Sequence, residues 1–333
     1  MQAFVLERVR SYALPLLVLI ATWAIISSST PTFRGESSVF SVLEGFPLLG
    51  LIALGLAITI IAGELDLSVG SMAALAGVVA VKAGGLGLLG AIGVAVAIGA
   101  AIGAAQGWVI ARLAINSLVL TIGTLILLRG VAYLASDNAP AQLTDFTVSD
   151  PLIERYGIFS VGSITAIAVF VVLGLFLAYT RYGREIYAIG GAREEARAAG
   201  VPRSRPMVLA FGLSGACAAL AGALASLKGG SAAPQNYEDM LLAGAAAALI
   251  GGISLYGGRG TVLHVALGVA VLSAVAAGLA ARGSDASVTQ LVTGALLIAV
   301  VATEFIAARL SRRARLRREA ARHETPRGPP APA

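Results

Sequence analysis

Charge is what this chain has least of. Asp, Glu, Lys and Arg make up 13% of its 333 residues, where a soluble domain carries about 25%. Cysteine is nearly absent too: the single Cys217 excludes an internal disulfide framework and a cysteine-based zinc cluster, and its apolar surroundings read as packing. No G-x-x-x-x-G-K-[S/T] loop occurs. The run Gly257-Gly258-Arg259-Gly260-Thr261 lacks both the lysine and the spacing, so nothing here cradles a nucleotide phosphate. The net charge of +6 is no nucleic-acid footprint, because the arginines cluster at the ends of apolar runs.

What is present is apolar. With 57% hydrophobic residues, a mean hydropathy of +0.86 and repeated runs long enough to cross a bilayer, the chain reads as an all-α polytopic integral membrane protein. Its 40 glycines suit close helix packing in lipid. The runs predict ten spans, at about 13–29, 40–62, 69–84, 86–111, 118–135, 160–180, 206–228, 241–256, 261–281 and 286–308. The first follows Arg8 and Arg10 like a signal peptide, but no small-residue cleavage site follows, so it is expected to remain as a span.

Basic residues orient the bundle. Arg181, Arg184, Arg193, Arg197, Arg203 and Arg205 crowd the connection after span six, and a further arginine cluster fills the tail from Arg309. The opposite connection from Ser136 to Phe159 sets a single Arg155 against Asp137, Asp145, Asp150 and Glu154. Positive charge marks the inner side, which predicts both termini in the cytoplasm. Residues 1–308 are then one transmembrane domain, and 309–333 a basic cytoplasmic tail, partly disordered.

One stretch breaks the apolar pattern. Gly63-Glu64-Leu65-Asp66-Leu67-Ser68-Val69-Gly70-Ser71 puts two carboxylates between spans two and three. A charge at mid-bilayer costs roughly 2.5–3.5 kcal/mol on insertion scales, so it needs a local reason. Interrupted helices supply one. Asp66 or Ser68 is placed to cap the helix that follows, while Gly63 and Gly70 let the chain turn and neighbours approach. Solute contact by Glu64, Asp66, Ser68 or Ser71 is the competing reading, although the topology moves the stretch toward the cytoplasmic end. An echo lies at Ile250-Gly251-Gly252-Ile253-Ser254, between spans eight and nine, crossed in the same direction. Between spans six and seven, Glu194-Glu195-Ala196-Arg197 ending at Gly200 reads as a short surface helix with a glycine stop. It is either a solvated connector or a docking helix.

These residues carry a resemblance. Ile61 to Met72 resembles the G-x-I-D-L-S-V-G-S signature of the membrane subunits of ribose/xylose/galactose-type ATP-binding cassette (ABC) importers. Thr121-Ile122-Gly123-Thr124 with Arg129-Gly130, Gly183-Arg184-Glu185-Ile186-Tyr187-Ala188-Ile189-Gly190-Gly191, and Ile250-Gly251-Gly252 with Ser254 to Thr261 are similar to three further segments, in the same order. The resemblance implies a monosaccharide permease working as a dimer by alternating access. It also implies a cytoplasmic ATP-binding subunit that holds the ATP-Mg, an extracytoplasmic sugar-binding protein, and the bacterial cytoplasmic membrane. It makes 181–205 the coupling loop, with Arg184, Glu194, Glu195, Ala196 and Gly200 as coupling residues. It puts Glu64, Asp66, Ser68, Gly70, Ser71, Thr121, Gly251, Gly252 and Ser254 along the path or its helix breaks. The chain departs from the pattern at Gln106-Gly107, Asn116-Ser117-Leu118, Ala192 and Tyr237-Glu238-Asp239-Met240, which leaves the solute open.

Two rivals compete. An ion-coupled secondary carrier would use Glu64 and Asp66 as its cation site. A rhomboid-like intramembrane serine protease would pair Ser214, in Gly212-Leu213-Ser214-Gly215, with His264. Neither needs a cofactor in the chain, and no metal cluster is expected.

Overall fold

The computed structural model describes residues 2–285, 287–299 and 302. The end of span ten and the tail at 309–333 lie outside the described residues. The chain forms α1 (Gln2–Ser29), α2 (Glu36–Leu43), α3 (Leu51–Ile61), α4 (Val69–Lys82), α5 (Gly87–Leu113), α6 (Ser117–Ala135) and a single turn α7 (Asp150–Ile153). There follow α8 (Val161–Tyr179), α9 (Arg181–Gly191), α10 (Arg193–Ala198), α11 (Ser204–Lys228), α12 (Met240–Gly251) and α13 (Val262–Ala281). A last apolar helix, α14, covers Ser287–Ala299. Among the described residues seven helical stretches are long and apolar enough to span a membrane, and α4, α12 and α14 are shorter apolar helices. The polytopic all-α reading holds. Among the described residues the strands are four two-residue pieces, Ala141–Gln142 paired with Ser231–Ala232 and Arg155–Tyr156 paired with Phe159–Ser160, all in loops between helices.

Local sequence explains most boundaries. Asn116 caps α6 by accepting the Leu118 N–H at 2.8 Å, and Ser160 and Ser163 form a reciprocal capping box on α8. Thr180 accepts the Gly183 N–H at 3.0 Å to start α9, and Thr261 accepts the His264 N–H to start α13. The second span is not one uniform helix. Pro47 lacks the amide an α-helix needs, and a π-type turn at Phe46–Gly50 joins α2 to α3. Span eight stops at Gly251, short of the predicted 256, because Gly252 adopts φ +102° and ends α12. The 181–205 connection holds two helices, where sequence suggested one.

The core is built around α11, which packs on α5, α4 and α3. Its contact with α5 is made by main chain. A methyl added at Gly103 would overlap the Phe211 carbonyl, and one at Gly215 the Gly99 carbonyl. Lipid gives no hydrophobic driving force between helices, so this close approach supplies the dispersion contact instead. Glu44, inside the second predicted span, is satisfied by the Lys228 ammonium and the Ser160 hydroxyl.

Candidate functional site at the 62–68 break

The chain leaves α3 at Ala62, turns at Gly63 with φ +79° and starts α4 at Val69. Gly63 N–H bonds the Ile60 carbonyl at 2.9 Å and Glu64 N–H the Thr59 carbonyl at 3.0 Å, so the orphaned carbonyls of α3 are met locally. The next residues are strapped to three helices. Leu65 N–H donates to Ser117 Oγ at 3.3 Å, and the Thr121 hydroxyl lies 3.5 Å from the Leu65 carbonyl, both from α6. Asp66 is 1% exposed and sits in a polar knot. Its Oδ1 accepts the Ser68 N–H at 3.0 Å and the Ser68 hydroxyl at 2.6 Å, and its Oδ2 accepts the Ser214 hydroxyl of α11 at 2.9 Å. Gln106 Nε2 of α5 donates to Ser68 Oγ at 3.1 Å.

This corrects the expected cap. Ser68 occupies the cap position of α4 but makes no side-chain cap bond, because its hydroxyl is turned onto Asp66. Asp66 accepts the N–H of the cap residue itself and not one from inside the first turn. The carboxylate ties the start of α4 to α11, and the Ser68 hydroxyl extends the tie to Gln106 of α5, while three donors offset the carboxylate's burial. Gly70 lets the Tyr237 carbonyl approach α4, and the buried Ser71 hydroxyl has no hydrogen-bond partner among the described residues.

Glu64 points elsewhere. Its carboxylate, 10% exposed, pairs with Arg193 at 2.7 Å and lies 3.6 Å from Arg203. Both arginines belong to the 181–205 connection, so the break and that connection are bonded to each other. Main chain reinforces the joint. A methyl on Gly190 would overlap the Ile61 carbonyl, and one on Gly63 would stand 3.2 Å from Gly190 Cα. The same Ile61 carbonyl accepts the Gly258 N–H at 2.8 Å. A methyl on Gly257 would lie 2.6 Å from the Gly190 carbonyl and 2.9 Å from Gly63 Cα, and the Tyr187 hydroxyl bonds the Gly260 carbonyl at 2.8 Å. The two glycine-rich interruptions meet on α9.

Gly251, Gly252 and Ser254 are not part of that joint. Gly251 admits the His264 carbonyl of α13, Gly252 closes α12, and Ser254 Oγ accepts the Tyr256 N–H at 3.3 Å. On α9 and α10, Arg184, Glu194 and Glu195 are exposed, with Glu194 paired to Arg197 at 3.1 Å. Ala196 is buried under α10, and Gly200 turns with φ +83° in open space. Glu185 is buried between Arg181 at 2.9 Å and Arg205 at 3.5 Å.

Neither rival constellation forms. Ser214 is bonded to Asp66, while His264 Nδ1 is 2.8 Å from Thr261 Oγ1 and its ring stacks on Tyr12 at 4.1 Å, so the proposed dyad is not assembled. Glu64 and Asp66 are engaged by different partners, and among the described residues no group of three or more His, Cys, Asp or Glu can hold a metal ion. Sequence reasoning missed Arg193 and Arg203 as partners of Glu64, and Ser214 as a partner of Asp66. Gln106 was visible only as a departure from the family pattern.

The bundle with its interrupted helices is that of a polytopic membrane protein, and comparison with known proteins gives its class. The family described as "Branched-chain amino acid transport system / permease component" matches residues 38–301. The ribose import permease protein RbsC of Escherichia coli (strain K12) is 30% identical over 296 residues, 86% of this chain and 91% of that protein. The L-arabinose transport system permease protein AraH of the same strain is 30% identical over 291 residues, 85% and 88% of the two chains. The inner membrane ABC transporter permease protein YjfF, also from that strain, is 32% identical over 304 residues, 87% and 92%. No solved structure matches. The chain belongs to this family of ABC transporter permeases: it is a transport subunit and not an enzyme.

Proposed function

We propose that the chain moves a monosaccharide of the ribose or arabinose kind inward across the bacterial cytoplasmic membrane, by alternating access. Both termini face the cytoplasm, two permease chains form the pathway, an extracytoplasmic binding protein delivers the sugar, and a separate subunit binds ATP-Mg. The relatives' names support the substrate class. One observation carries the mechanism: the Glu64 carboxylate joins the helical connection to the α3–α4 break at 2.7 Å from Arg193.

In this reading the ATP-binding subunit docks on the exposed side of α9 and α10, against Arg184, Glu194 and Glu195, with Ala196 and Gly200 setting the helix end. When two such subunits close on ATP, α9 moves. Its Gly190 then carries the Ile61 carbonyl, and Arg193 and Arg203 carry Glu64. The break reorients, and the polar knot at Asp66 opens or closes the inner end of the path. Thr121 steadies Leu65 during this motion, and Gly251, Gly252 and Ser254 shape the neighbouring turn.

The test uses vesicles containing the permease, its ATP-binding subunit and its binding protein. Glu64→Gln keeps the side chain's shape and removes the ion pair. ATP-dependent uptake of labelled ribose or arabinose is expected to fall about tenfold, while ATP hydrolysis and co-purification of the two subunits persist, as for a link that passes on motion and takes no part in docking or hydrolysis. Unchanged uptake per ATP overturns the role of Glu64. Uptake that follows an ion gradient and ignores ATP overturns the whole reading.

A further inference from the structure

Beside the coupling helices lies a groove with no part in the scheme above. It opens where the end of α5 meets the starts of α9 and α11, and it is lined by Trp108, Arg112, Tyr182, Ser204, Arg205 and Leu209. Its volume of about 720 Å³ lies in the range of about 300–1,000 Å³ typical of small-ligand sites. Its polarity is graded along α5. Trp108 stands one turn inside Arg112 on α5 and is 53% exposed, on the helix face that also presents Val94 and Ile98. Leu209 continues the apolar wall on α11, while Ser204, Arg205 and Arg112 gather at the end of the bundle. Tyr182 completes the mouth, with the Arg205 guanidinium 5.8 Å from its ring centroid.

Among the described residues the mouth is cationic with no carboxylate in its lining. Arg112 has no ion-pair partner among the described residues, and the nearest acid to Arg205, Glu185 at 3.5 Å, sits closer to Arg181 at 2.9 Å. Exposed Trp and Tyr beside arginines at helix ends mark the depth of lipid headgroups. A basic, aromatic-lined cleft between spans suits a phosphate whose own chains continue along the apolar wall.

We propose that this groove binds one anionic phospholipid, with its phosphate between Arg112 and Arg205, its headgroup hydroxyls toward Ser204, and an acyl chain along Trp108 and Leu209. The complementarity selects the occupant. A zwitterionic lipid brings an ammonium toward two guanidinium groups, and a soluble anion leaves the apolar wall uncovered. The site lies against the first turns of α9 and α11, so its occupancy bears on the helices that flank the coupling segment.

The two tryptophans make the test direct, because Trp23→Phe leaves Trp108 as the sole emitter. The full-length variant is placed in phosphatidylcholine vesicles holding a minor fraction of phosphatidylglycerol, and one lipid at a time carries bromine on its acyl chains. Brominated phosphatidylglycerol is expected to quench Trp108 at least about fivefold more, mole for mole, than brominated phosphatidylcholine, the preference that one arginine supplies at an anionic surface, since Arg205 is shared with Glu185. Adding Arg112→Gln and Arg205→Gln should bring the ratio to parity, and Arg112→Lys with Arg205→Lys should largely retain it. If the double glutamine variant does not insert, Arg112→Gln alone, on the exposed end of α5, is read the same way. Equal quenching by the two lipids overturns the proposal. So does loss of the preference to soluble glycerol phosphate, which marks a free-anion site, or the absence of quenching by either lipid, which means that another protein surface covers the groove.

Discussion

Asp66 is the residue whose replacement separates a structural tie from a solute contact. Asp66→Ala removes the acceptor for the Ser68 N–H at 3.0 Å, the Ser68 hydroxyl at 2.6 Å and the Ser214 hydroxyl at 2.9 Å. The Ser68 hydroxyl retains Gln106, so two donors lose their partner, and each unmet buried donor costs about 1–3 kcal/mol. Relief from burying a carboxylate offsets part of this, which leaves a loss of about 3 kcal/mol. Asp66→Asn keeps the size and one acceptor oxygen, and the Ser214 hydroxyl can rotate to accept from the new amide, so its loss is about 1 kcal/mol. Unfolding in mixed detergent micelles, followed by intrinsic fluorescence, should rank wild type above Asn and Asn above Ala. Uptake by the assembled transporter should fall in the same order, with the KM ratio between ribose and arabinose unchanged. The reasoning is refuted if Ala is as stable as wild type and the substitution changes only which sugar is taken up.

Two further outcomes follow from the same contacts. Gly190→Ala should destabilise by about 1–3 kcal/mol, the usual cost of overpacking, because the methyl overlaps the Ile61 carbonyl; the added mobility of α9 should appear as faster amide exchange over 181–191. Ser214→Ala and His264→Ala should be additive in stability within about 0.5 kcal/mol, because Ser214 bonds Asp66 while His264 bonds Thr261, and a double-mutant cycle checks this.

Much of this architecture is legible in the chain, because lipid forces it to be. A span announces itself through unbroken apolar residues, and Asn116, Ser160, Thr180 and Thr261 each satisfy a helix start within three residues. The family motifs were equally local. What stayed hidden is relational. Gly63 and Gly257 read as two separate interruptions and Gly190 as part of a loop motif, and nothing in one of them specifies that it touches the other two. Glu64 looked like a partner of Asp66 because they are two residues apart, yet its cation is 129 positions away. Ser214 invited a catalytic reading because Gly-x-Ser-Gly is a recognisable string, whereas its acceptor lies on another element. Periodicity reports burial, and it is silent about which buried groups face one another.

The joint of Gly63, Gly190, Gly257 and Gly258 is made of peptide groups alone. Side chains yield by rotating about soft torsions, but an amide seated on a carbonyl has no such slack. Gly190 of α9 abuts the Ile61 carbonyl that also accepts the Gly258 N–H, so under the proposed function a displacement of α9 would press directly on the end of α3. The same stiffness runs in reverse. Under the proposed function, a shift at the inner end of the path would return to the ATP-binding side through the same few atoms, and the traffic between hydrolysis and transport would run both ways.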